Sequence, residues 1–219
     1  MGLGLNGGTT ATGFSTSGAN CIIVAVAADT VASWSALTDS RTLSWTPLTA
    51  REPATTADIR LYYAYNITGG TDHTFTITGT GLGFAIAIAA FSGVKSSADP
   101  FTTENGNTTA SASSLGCGSI TPGANDDLIV SALTNHIDTT ADRTCDNSLA
   151  LLDQVVFAAG SNYPIALAWK NSSSGAFTPT WSWTFGAEPA GAVVACFSAA
   201  AGGASPSRLA TLLPMTGVQ

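Results

Sequence analysis

Apolar and polar residues alternate strictly along Thr74-Phe-Thr-Ile-Thr78, and again along Thr180-Trp-Ser-Trp-Thr184. In an extended chain this puts Phe75 and Ile77, and then Trp181 and Trp183, on one face and hydroxyls on the other. Half-buried antiparallel strands are predicted there. Residues 22–28 and 85–91 are instead apolar almost throughout. They are far shorter than the roughly 20 residues that span a bilayer, and are of strand length. They predict central strands covered on both faces. In Ala85-Ile-Ala-Ile-Ala89 the isoleucines point one way and the alanines the other, so the alanine face can approach a second layer closely. No window holds a 3.6-residue apolar period with caps, and little helix is expected.

Short β-favouring runs alternate with Gly, Ser, Asn, Asp and Pro clusters from residue 9 onward. Candidate strands in the first half are 9–15, 21–28, 43–49, 59–67, 73–79 and 84–92. Those in the second half are 115–121, 127–134, 149–157, 163–170, 178–185 and 191–199. The stretches Asn66-Ile-Thr-Gly-Gly-Thr-Asp72 and Asn171-Ser-Ser-Ser-Gly175 are expected to be hairpin loops, with Gly69-Gly70 supplying positive φ.

The two halves resemble each other. Shifted by about 106 residues, Cys21-Ile-Ile-Val-Ala-Val-Ala27 falls on Asp127-Leu-Ile-Val-Ser-Ala-Leu133, Thr74–Thr78 on Thr180–Thr184, and Ala87–Ser92 on Val193–Ser198. Arg60–Tyr63 falls on Ile165–Ala168 at 105, with the slip in a loop, where insertions collect. The fold expected is all-β: an antiparallel, jelly-roll-like sandwich of two pseudo-repeats. Its organisation is an N-terminal arm (1–8), a duplicated sandwich (9–201, halves 9–92 and 115–199, linker 93–114) and a C-terminal tail (202–219). Strands buried on both faces favour one interleaved sandwich over two separate ones. Phe91, Phe197, Trp181, Trp183, Ile86 and Ile88 are the expected core.

Composition narrows the partners. Charged residues make up 10% of the 219-residue chain, so hydroxyls and small residues must cover the surface. The net charge is -7 and the seven basic residues stand singly, which argues against nucleic acid and anionic membranes. Met1–Gly8 has neither a basic nor an apolar signal region, so synthesis in a reducing cytoplasm is expected. Cys21 and Cys196 fall inside apolar runs; Cys117 and Cys145 are the pair that a loop bridge would join, and no disulfide is expected. The tail breaks the β pattern yet carries Leu209, Leu212, Leu213 and Met215. A purely solvated tail would be polar, so these four are the expected assembly contacts.

No motif carries catalysis. His73 and His136 lie in no recognisable set, and a hydrolase would need one of them within reach of a hydroxyl and an acid. The aspartates, among them Asp39, Asp99 and Asp126-Asp127, fall in or beside turns. Five tryptophans and four tyrosines could form a sugar-stacking platform, with Tyr62, Tyr63 and Tyr65 reaching the surface on one face. Trp181 and Trp183, however, align with the core positions Phe75 and Ile77. No catalytic residue, cofactor or metal is assigned.

The segments Tyr62–Thr78, Ala85–Gly93 and Asp99-Pro-Phe101, followed by Thr121-Pro-Gly-Ala-Asn-Asp126, resemble a group of β-sandwich proteins of virus and phage particles, such as capsid decoration (cement) proteins. The resemblance spans roughly residues 20–200 and rests on strand and turn motifs. It implies a non-enzymatic decoration subunit on the virion surface, homo-oligomeric or bound to the major capsid protein or other particle subunits. A tail or fibre component is the variant of this expectation. The expectation from another class is a glycan-binding, lectin-like module.

Overall fold

The computed structural model describes residues 2–5, 8–28, 33–53, 58–80, 83–136, 143–155 and 164–209. Seventeen strands are defined there, and no helix. In the first half these are β1 (Gly2–Leu5), β2 (Gly8–Phe14), β3 (Cys21–Ala28), β4 (Ser33–Asp39), β5 (Thr46–Pro47), β6 (Asp58–Tyr65), β7 (His73–Thr80) and β8 (Gly83–Ser92). Then follow β9 (Phe101–Ala112), β10 (Ser114–Gly116), β11 (Leu128–Asn135), β12 (Arg143–Cys145), β13 (Ala150–Val155), β14 (Ile165–Asn171), β15 (Thr180–Trp183), β16 (Glu188–Phe197) and β17 (Ser207–Arg208). Every pairing between them is antiparallel.

The strands form four sheets. Early strands make β1-β8-β3-β6-β5 and β2-β7-β4; later ones make β13-β14-β11-β16-β9 and β10-β15-β12. The order in one half becomes that in the other when eight is added to each strand number. The sheets are not interleaved as expected: each draws its strands from one half, except that β17 returns to β8. Burial on both faces has another origin. Successive residues of β3 enter different cores. Cys21, Ile23, Ala25 and Ala27 join a cluster shared with β11, β14 and β16, while Ile22, Val24, Val26 and Ala28 join one shared with β7. The alanine face of β8, Ala85, Ala87 and Ala89, lies in the first of these, and Ile86 and Ile88 in the second. A third cluster gathers Ile129, Leu133, Trp181, Trp183, Val194 and Cys196 in the second half. All six expected core residues are buried.

Register corrects the alignment of the halves. Phe91 lies opposite Cys21, and Phe197 opposite Leu128. Equivalent positions in β3 and β11 therefore differ by 107, not 106. Tyr65 and Asn171, opposite those same residues, put β6 and β14 at 106 rather than 105. The difference matters because a one-residue slip turns every side chain to the other face. At 107, Val24 matches Ser131 and both point away from the shared cluster.

Other expectations change too. The stretch read as a linker contains the 12-residue strand β9 along β16. The arm contributes β1 to the edge of β8. Residues 66–72 and 172–179 are not hairpin loops, because each joins strands of two different sheets. In the first, positive φ falls on Asn66 and Asp72 rather than on the glycines. Gly69 is there for space: a Cβ would come within 1.6 Å of the Thr16 carbonyl oxygen.

Candidate functional site

The Phe14–His73 and Asp39–Phe75 pairings bring three distant segments to one end of the first half. His73 Nε2 lies 2.8 Å from Asp39 Oδ1, and its Nδ1 lies 3.1 Å from Thr16 Oγ1. Asp39 also accepts the indole N–H of Trp45 at 2.8 Å and the backbone N–H groups of Arg41 and Leu43. Burial would raise its carboxyl, but the hydrogen bonds from His73, Trp45 and the backbone hold it below the ordinary value. Burial also lowers His73, outweighing the pull of Asp39, so the ring is neutral near pH 7. An ionised carboxylate only accepts, which places the imidazole proton on Nε2 and leaves Nδ1 to accept from the Thr16 hydroxyl.

Hydroxyl, imidazole and carboxylate thus stand in the order of a hydrolytic triad. Access decides what they can do. Thr16 and His73 are 0% exposed, and Thr16 Oγ1 also accepts the Gly70 N–H at 3.0 Å. A substrate carbonyl has no approach to that oxygen. The set instead ties together the chain after β2, the loop after β4 and the crossing before β7. Sequence reading missed it because Thr16 and His73 are 57 residues apart and only strand register joins them. The turn pattern Asp39-Ser-Arg-Thr-Leu43 was the available signal.

The other candidates are dispersed. His136 is exposed at the end of β11. Asp127 is buried and caps its own turn, accepting N–H groups from Ala124 and Ala199. Its neighbour Asp126 is exposed and shares with it a cleft of about 590 Å³ bordered by Ala199–Gly203. Among the described residues no three His, Cys, Asp or Glu side chains gather in a metal-binding group. All four cysteines are free, and burial pushes Cys117 up to about 12 and Cys196 to about 11.

Trp181 and Trp183 are buried, as are Tyr62 and Tyr63, contrary to the expectation of a surface tyrosine face. Trp45 is half-buried and lines a groove of about 420 Å³ with Tyr62, Arg60, Leu43 and Pro47. Of the expected assembly contacts, Leu209 is 45% exposed just beyond β17. Leu212, Leu213 and Met215 lie outside the described residues. The described tail packs on its own chain, through the pairing of β17 with β8.

No family model, curated protein or solved structure matches this chain.

Proposed function

We propose that the chain is a non-enzymatic structural subunit of a virus or phage particle, a capsid decoration protein that sits on the shell and bridges its subunits. The observation that carries this reading is the paired strand order. Each half places its first, eighth, third and sixth strands side by side and sets its second, seventh and fourth on another sheet. That order supports a jelly-roll reading, an architecture of viral capsid and lectin domains, with the fifth strand placed beside the sixth. The buried cluster shared by the large sheets of both halves supports a subunit that bears load as one block. The sealed Thr16–His73–Asp39 set supports a non-enzymatic role, and the weakly charged surface suits packing against neighbours. The test is co-expression with the shell protein of the particle, followed by gradient sedimentation and thermal scanning. The subunit is expected to travel with the shells in fixed stoichiometry and to raise their melting temperature. Recovery at the top of the gradient, with shells unchanged, sinks the proposal.

The groove of Trp45, Tyr62 and Arg60 favours glycan binding as a second reading, because an indole beside a cation suits a sugar ring. It requires glycan-array binding that disappears in Trp45→Ala.

A further inference from the structure

β9 follows β8 in sequence but belongs to the second half, as β1 belongs to the first, and completes the edge of the second-half sheet, pairing with β16 from Phe101 opposite Phe197. β17 follows β16 and does the reverse, pairing with β8 so that Arg208 lies opposite Phe91. Phe91 and Phe197 are equivalent positions. The strand that follows the last strand of each half therefore pairs in the sheet of the other half. In one chain the second crossing has to turn back on itself.

That turn is short. Gly203 N–H donates to the Ala200 carbonyl at 3.2 Å, Gly202 has φ of 65°, and residues 201–204 are exposed. Beyond it the chain is anchored again. Pro206 is buried, and its carbonyl accepts from Asn171 Nδ2 at 3.1 Å. The Leu209 N–H donates to the Ala90 carbonyl at 3.0 Å. The edge they cover is completed further along by β1, with Gly2 opposite Ile86, so two short terminal strands do for β8 what one 12-residue strand does for β16.

We propose that β17 is a donated strand: in the assembled protein it pairs with β8 of a second copy of this chain, linking copies head to tail. The crossing then runs forward from copy to copy, as it already runs from β8 to β9 within a chain. The contacts beyond the turn are identical in the closed and exchanged forms. Opening of the Ala200–Gly203 turn and protein concentration set the balance between them. The proposal does not rest on the particle reading.

Ser92 and Ser207 are directly opposed, neither is buried, and paired strands hold their Cα atoms about 4.5–5.5 Å apart. That separation suits a disulfide. Tagged Ser92→Cys and untagged Ser207→Cys full-length chains are mixed, opened in denaturant, refolded together and oxidised. A mixed disulfide dimer is expected, several-fold above that from Ser92→Cys mixed with unaltered chain, and rising with protein concentration. Deleting Gly202 and Gly203 should raise its yield, and four added Gly/Ser residues in the turn should lower it. The proposal is overturned if the mixture never exceeds the control while the double variant Ser92→Cys/Ser207→Cys cross-links within single chains.

Discussion

The two halves share a strand order but fill equivalent positions with different chemistry. In the first, Phe75 lies under the sheet beside Val24, flanked by His73 and Asp39. In the second, Trp181 stands for Phe75, Ser131 for Val24, Cys145 for Asp39, and Pro179 for His73. The changes are coupled. An indole brings an N–H that a phenyl ring lacks, and a buried donor needs an acceptor. Ser131 supplies it at 2.9 Å and passes its own proton to the Val193 carbonyl at 2.8 Å. Neither Val24 nor Phe75 carries a side-chain group that needs a hydrogen bond. The first half spends its buried polarity on its loops instead, through Asp39 and His73. The same frame thus tolerates two polar solutions, provided each is complete.

The largest effect should come from the part that the halves share. Phe91 and Phe197 both enter the common cluster and are fully buried. Phe91→Ala and Phe197→Ala should each cost about 3–5 kcal/mol in denaturant melts, with a single transition. A loss under about 1 kcal/mol for one of them, or two separate transitions, would mean that the halves do not depend on a joint core.

A smaller effect should come from exchanging the solutions. Ser131→Val alone strands the Trp181 indole N–H and should cost about 1–3 kcal/mol. Adding Trp181→Phe rebuilds the pair found in the other half and should recover part of that loss. The double-mutant cycle then shows a coupling of at least about 0.5 kcal/mol. Additive losses would refute the coupling.

The smallest effect is on pH. His73 is held below its ordinary value of 6.5. Below that pH the unfolded chain takes up a proton that the folded chain refuses, so stability declines as pH falls from 6.5 through the depressed value. Above 6.5 the group contributes nothing. Asp39, held below 3.8, stabilises the fold above that pH and ceases to do so as pH falls through its own lowered value. His73→Gln should flatten the decline that begins near pH 6.5, leaving the Asp39 limb. An unchanged profile would place the titration elsewhere.

Much of the large-sheet framework was legible in the sequence. The strands β3, β6, β8, β11, β14 and β16 bury both faces or one clean face, and their apolar runs announce them. The strand β4 lies outside the candidate runs, and its pairing register shifts between Trp34 and Leu37, which breaks a strict alternation. The strands β1, β9, β12 and β17 lie outside them too. They are short, or polar like Thr102-Thr-Glu-Asn-Gly-Asn-Thr-Thr109, and pair through backbone bonds that leave no periodic trace. The 106-residue offset misplaced β3 against β11, because an all-apolar run fits either face: Cys21 and Leu128, opposite Phe91 and Phe197, are 107 apart. The His73 set was not legible for a related reason: register, rather than spacing, brings its members together.

Strand β9 also sets a problem of timing. Its partner, Glu188–Phe197, is made more than 70 residues later. At about 5–20 residues per second of synthesis, β9 waits several seconds on the ribosome without its neighbour. An apolar strand held open for that long would seek any exposed edge it met. After Phe101 the strand reads Thr-Thr-Glu-Asn-Gly-Asn-Thr-Thr-Ala-Ser-Ala112, with a carboxylate, two asparagines and a glycine. Such a segment has little affinity for wrong partners while it waits. The hydroxyl-rich composition can thus be understood as a provision for the nascent chain as well as for the finished surface.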